Sequence, residues 1–235
     1  MWKITYFVWI LTILFAASGV LYLIIPVEIF LSELGKLVYF AYGYNEPGGV
    51  FPLITYDLSL FSEHFIAFYI HVSFGPISLI TGLINMNGTI RKRKPYIHRL
   101  AGKVYLISQI ISLPAGMYLG MHEFAGIVAV YGFLGMGGST LISSAMAYYY
   151  ICKRNFELHR EWMIRSYCIM WSSVVLFRIA LMYWIPFEIY RIGGTIENDF
   201  RDLFIVCIFL SWSLPILVAD IYISLTKPKL NMKTT

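Results

Sequence analysis

The chain has 235 residues, of which 59% are hydrophobic, 17% aromatic and 13% charged, with a formal net charge of +5 and a mean hydropathy of +0.70. A soluble domain carries about 25% charged residues, so this chain lacks the polar surface to face water on all sides and lipid must be its main solvent. The modest positive balance follows from membrane topology, as shown below, and gives no argument for a nucleic-acid partner.

A helical span needs about 20 mostly apolar residues. Six such runs are predicted, at residues 4–25, 61–86, 100–121, 125–151, 162–185 and 203–225. The first begins after Lys3 and contains the small residues Ala16-Ala17-Ser18-Gly19, as a signal peptide would. Its apolar run is longer than the roughly 7–15 residues of a signal core, so an uncleaved anchor is expected. In the long segment that follows, residues 27–42 mix Glu28, Glu33 and Lys36 with apolar residues, the pattern of a helix lying on the membrane interface. Asn45-Glu46-Pro47-Gly48-Gly49 then breaks it. The predicted fold is all-α: a polytopic membrane helix bundle of about six transmembrane helices, forming a single integral membrane domain over residues 1–235.

Charge sets the orientation. With the N-terminus inside, the outer segments hold only Lys36, Arg191 and Arg201 of the 18 lysines and arginines, and Arg178 lies within a span. The rest fall on the inner side, so both termini are expected in the cytoplasm and the protein in the cell (inner) membrane. Asn87-Gly88-Thr89 is a glycosylation sequon on that inner side and should stay unmodified. Cys152, Cys168 and Cys207 form no CxxC pair and read as free apolar thiols.

The polar residues within the spans carry the chemistry. Arg178 sits about two turns from the outer end of the fifth run, where a charge facing lipid costs about 2.5–3.5 kcal/mol. It must face protein, water or an anionic ligand, or snorkel outward. His71 lies about 15 Å deep in the second run, at a similar level. The two are expected to line one pocket, Arg178 holding an anion or carbonyl and His71 handling a proton or metal; the plainer alternative is that His71 hydrogen-bonds a neighbouring helix. His98 and His159 head the third and fifth runs, surrounded by Arg99, Lys103, Arg160 and Arg165. A helix N-terminus and these cations favour the neutral, ligating imidazole. His98 and His159 are therefore the candidate metal ligands, and the cations suit haem propionates or, equally, lipid phosphates. His64 and His122 lie near the outer boundary, where solvation accounts for them. Asp220 is expected to pair with one of the inner basic residues. Gly132, Gly135, Gly137 and Gly138 on the fourth run are expected to allow close approach of another helix.

These residues bring out a resemblance. His71-x-x-x-Gly75-Pro76, Gly82, His98-Arg99-x-x-Gly102-x-x-Tyr105, His159-Arg160-x-Trp162-Met163-x-Arg165-Ser166-Tyr167 and Arg178 resemble the domain-of-unknown-function 2306 family of mainly bacterial multi-pass membrane proteins, over about residues 65–183. The resemblance implies a multi-helix membrane protein with recurring His and Arg positions and no established reaction. The layout is also similar in outline to small di-haem membrane cytochromes, but His71 lacks an outer partner, so one haem b or a transition metal suits it better than two haems. Cofactor-binding candidates are His71, His98, His159, Arg99, Arg160, Arg165 and Arg178. The leading reading is a redox or cofactor-handling protein whose partners are the bilayer, further membrane subunits or a quinone. The alternatives are a non-catalytic assembly or scaffold subunit and a small proton-coupled transporter.

Overall fold

The computed structural model describes residues 2–24, 63–193 and 196–227. The interfacial helix expected at 27–42 and the break after it lie outside the described residues. Among those described, all regular structure is helical: α1 (Trp2–Ile24), α2 (Phe65–Met86), α3 (Gly88–Arg93), α4 (Pro95–Met121), α5 (Ile127–Cys152), α6 (Phe156–Trp171), α7 (Phe177–Ile179), α8 (Ile185–Ile192) and α9 (Ile196–Thr226). Among the described residues, four helical stretches are long and apolar enough to cross a membrane: Phe65–Met86, Pro95–Met121, Ile127–Cys152 and Asp199–Thr226. They match the second, third, fourth and sixth predicted runs. The described apolar part of α1, Tyr6–Ala17, is shorter than a span.

The fifth predicted run differs in kind. Its helix begins at Phe156 and passes from α6 into a π-helical stretch, Ser172–Leu176, then α7, a second π stretch, Ala180–Trp184, and α8. Backbone angles stay in the right-handed helical region at each junction, so the rod continues without a break. Pro186 has no backbone N–H to donate, which disturbs the hydrogen-bond ladder next to the second stretch.

Turn chemistry fixes the helix ends. Asn87, the sequon asparagine, caps α3 by accepting from the Thr89 and Ile90 amides. Pro95 opens α4, where its missing N–H is harmless. Between α5 and α6, Arg154 takes a left-handed φ of 56°. The Asn155 amide bonds the Tyr150 carbonyl at 2.9 Å and the Arg154 amide that of Ile151 at 3.0 Å, a Schellman closure with arginine where glycine is usual. Asn155 then caps α6 through Leu158 N–H. This three-residue turn lays α6 antiparallel to α5.

Helix α2 packs along α4, α4 along α5, α5 along α6, and α9 against both α5 and α6. One end of the bundle carries Arg91–Lys94, His98 and His159 and is called the basic end here. At the other end Phe124, Phe133, Phe177, Phe200 and Phe204 form an aromatic cluster. Large apolar side chains such as Ile110 and Leu217 cover the outside, as a lipid-facing surface requires. The glycines of α5 admit side chains rather than a second backbone. A Cβ on Gly132 would meet Ile208, one on Gly135 would meet Trp212 and one on Gly137 would meet Met117, while Gly138 has nothing within 4 Å.

Candidate functional site

His71 faces α4. Its Nδ1 lies 3.0 Å from the Ser112 carbonyl oxygen. A carbonyl can only accept, so Nδ1 carries the proton and Nε2 remains a base or ligand. The Ser112 hydroxyl donates back to the His71 carbonyl at 3.1 Å. The ring seats this close because residue 116 is glycine: a Cβ there would sit 2.6 Å from His71 Cε1 and Nδ1.

This clamp forms one wall of a cavity of about 130 Å³ that is also lined by Thr140, Ser173, Val174 and Arg178. His71 and Arg178 therefore share a cavity, as the sequence suggests, and interact electrostatically. Arg178 Nη1 donates to the Val174 carbonyl at 3.1 Å, one turn back on its own rod. Ser112, Gly116 and Thr140 are the parts of this site that residue-by-residue reading missed. A second, larger cavity of about 480 Å³ lies against α1 and α9 and is mainly apolar, lined by residues such as Trp171, Leu214 and Val218.

At the basic end, His98 and His159 are each the fourth residue of their helices. They are close enough for each other's charge to be felt, with Arg91 also near His98. His159 Nδ1 donates to the Ala147 carbonyl at 2.8 Å. The expected shared metal centre is not supported. Among the described residues no three His, Cys, Asp or Glu side chains converge as a ligand set, whereas protein zinc sites draw on three or four. Two of the cations expected around a cofactor are engaged elsewhere. Arg165 Nε meets Asp220 Oδ1 at 2.7 Å, and its guanidinium lies over the Trp162 ring. Arg160 donates to Thr226 at 3.1 Å. Lys227 reaches the buried Glu161 at 3.0 Å, and that carboxylate holds the ammonium above the usual lysine range. These contacts staple α6 to the end of α9, which is the pairing expected for Asp220. Arg99 is exposed. At the opposite end, the His64 and His122 rings lie 4.1 Å apart, tilted by 41°, with the Tyr118 hydroxyl 3.2 Å from His64 Nδ1.

Between the two ends lies a buried hydroxyl network that no single motif announced. The Tyr105 hydroxyl is 2.7 Å from Ser166 Oγ, which is 2.7 Å from Ser144 Oγ, and Ser144 donates to Gln109 Oε1. The Tyr167 hydroxyl donates to the Leu79 carbonyl at 3.2 Å. Gly82 makes room for both tyrosine rings. All three cysteines are free, as expected.

No curated protein and no solved structure matches the chain. Residues 68–223 match the family described as a predicted membrane protein (DUF2306). The match extends past Tyr183, where the sequence resemblance ended, to include most of α9. It covers more than half of the chain, which therefore belongs to that membrane-protein family.

Proposed function

We propose that this protein is a six-span membrane protein that binds a small planar carbonyl or carboxylate compound, of the kind a quinone headgroup represents, in the His71–Arg178 cavity. The observation that carries the reading is that cavity itself. A guanidinium and an imidazole from helices distant in sequence open onto one space inside a hydrocarbon-solvated bundle. Arg178 is suited to hold an oxygen through its planar fork, and His71 Nε2 to exchange a proton with it, because Nδ1 is committed to Ser112.

Volume selects among ligands. A cavity of about 150 Å³ admits one benzene ring, and pockets for drug-sized ligands run from about 300 Å³. At about 130 Å³ the site suits one ring or a small anion rather than a macrocycle.

In this reading α1 and the π-interrupted rod cross the bilayer with the four long apolar helices, the whole chain forms one domain, and the basic end and both termini lie in the cytoplasm of the cell membrane. The charge partition supports that orientation. Benzoate and a short-tailed benzoquinone are the probes. Either should raise the melting temperature of the purified protein, since a ligand at about 100 times its Kd adds about 2.7 kcal/mol. Absence of a shift with both probes, or an equal shift in Arg178→Gln, would refute the site.

A further inference from the structure

Polar residues recur at seventh positions along three helical rods: His71, Ser78 and Asn85 on α2; His98, Tyr105 and Ser112 on α4; His159 and Ser166 on α6, with Ser173 in the π stretch that continues it. Seven residues are close to two helical turns, so each trio occupies one face. Because α2 runs antiparallel to α4, His71 meets Ser112 at one end while Asn85 lies by α4 at the other, with Nδ2 3.7 Å from where a Cβ on Gly102 would be. Helix α5 adds Thr140 and Ser144 one turn apart. A seam of hydroxyl, amide and imidazole groups thus runs through an otherwise apolar core, over about 21 Å from His98 to Ser112 at 1.5 Å per residue.

The middle of the seam is a direct chain: Tyr105, Ser166 and Ser144, with Gln109 fixing the last hydroxyl. Tyr105 is 0% exposed and Ser166 0%. At the two gaps on either side stand buried groups with no hydrogen-bond partner among the described residues: both amide atoms of Asn85 and Nδ1 of His98 towards the basic end, and Nε2 of Gln109 towards the cavity. Asn85 is 4% and Gln109 1% exposed. Leaving such groups unsatisfied in a membrane interior costs several kcal/mol each, and polar pockets of this kind are where ordered water resides.

We infer that this seam is a proton relay connecting the His71–Arg178 cavity with His98 at the basic end, its gaps bridged by water. A proton arriving at His71 Nε2 or at a water beside Thr140 passes to Ser144. At rest the hydroxyls donate from Tyr105 through Ser166 and Ser144 to Gln109, so they first turn over to donate the other way. Ser144 and Ser166 then each accept one proton and release their own to the next oxygen, Tyr105 does the same towards the water held by Asn85, and His98 accepts one at Nδ1 and releases one from Nε2 to the basic end. Gln109 and Asn85 orient the chain without carrying the proton. Each transfer breaks one O–H or N–H bond and forms another, and the membrane potential drives it, so no oxidant or reductant is involved. The inference rests on the cavity reading only for the terminus of the path.

The test uses the full chain reconstituted in vesicles that enclose a pH-sensitive dye, with a potassium diffusion potential set by valinomycin. Wild-type vesicles should move protons about tenfold faster than protein-free vesicles, and Tyr105→Phe should remove most of that excess. Because Tyr105 is buried, His98→Gln, at the half-exposed mouth, is measured beside it and should lose flux with an unchanged melting temperature. The benzoate shift of the wild type is read beside its flux: flux without a shift refutes the cavity alone, and a shift without flux refutes the relay alone. Wild-type flux equal to that of empty vesicles, or Tyr105→Phe and His98→Gln conducting like wild type, would overturn the relay and leave the seam as interhelical packing.

Discussion

Gly116→Ala tests the cavity wall at its tightest point. The new Cβ would fall 2.6 Å from two atoms of the His71 ring, about 1 Å inside the usual 3.5–4.0 Å contact distance. The ring cannot simply turn aside, because its Nδ1 is bonded to the Ser112 carbonyl at 3.0 Å and Ser112 bonds back to the His71 backbone. Overpacking costs about 1–3 kcal/mol, and loss of the imidazole bond adds about 0.5–1.5 kcal/mol. Replacing a helical glycine by alanine returns at most about 1 kcal/mol. The net expectation is destabilisation by about 0.5–4.5 kcal/mol together with loss of ligand binding. Gly138→Ala is the control, since nothing lies within 4 Å of its Cβ, and it should be neutral or slightly stabilising. Thermal unfolding in detergent, with and without benzoate, reads both effects. If Gly116→Ala is as stable as Gly138→Ala and binds equally well, the His71 clamp is not as described.

Arg178→Lys should weaken benzoate binding about tenfold and Arg178→Gln more, because a point charge replaces the planar fork in the first and no charge remains in the second; equal binding by the lysine variant, measured by titration calorimetry, would mean the residue only snorkels. Asp220→Asn should cost about 1 kcal/mol or less, because Asp220 is 47% exposed although only 2.7 Å from Arg165; a loss of several kcal/mol in thermal unfolding would show the pair to be effectively buried. Arg154→Gly should stabilise by up to about 1 kcal/mol, since glycine adopts the left-handed φ of 56° without steric penalty, and a lower melting temperature would contradict the Schellman closure. In a Cys152→Ser background, Thr89→Cys should react with an impermeant thiol reagent only after the cytoplasmic side is opened; labelling of intact cells would reverse the proposed orientation.

Much of this was legible because membrane helices are set by composition. Apolar run length gives α2, α4, α5 and α9 to within a few residues, except where polar starts extend them: α4 begins at Pro95 and α9 at Ile196, in segments too charged to register as apolar. Asp220 was legible as a paired acid because a lone carboxylate so close to hydrocarbon needs a cation. Its partner was not, because that depends on which face of α6 meets α9. The His98–His159 metal centre lacks support for a different reason. Two imidazoles at one depth satisfy a sequence pattern, yet coordination needs further ligands to converge in three dimensions, and Arg160 and Arg165 reach to α9 instead. The seventh-position trios were present in the sequence throughout. Serines and a tyrosine within apolar runs read as neutral, and only the antiparallel pairing of α2 with α4 turns them into a seam.

The Arg178 side of the cavity was partly legible in the sequence. Val174, which lines the cavity, stands four residues before Arg178, about 40° round a regular helix, so helical phasing alone brings these two near one face. Ser173 is harder to place: it also lines the cavity but stands five residues before Arg178, about 140° round a regular helix. The π stretch, Ser172–Leu176, accommodates one extra residue, which narrows that angle. Phe177 meanwhile buries itself in the aromatic cluster with Phe133 and Phe204. A widened turn gives up regular hydrogen-bond geometry, and such turns gather at functional sites. Here the widened turn lies where the Ser173 hydroxyl and the Arg178 guanidinium come to line one cavity, and run length or charge alone does not announce it.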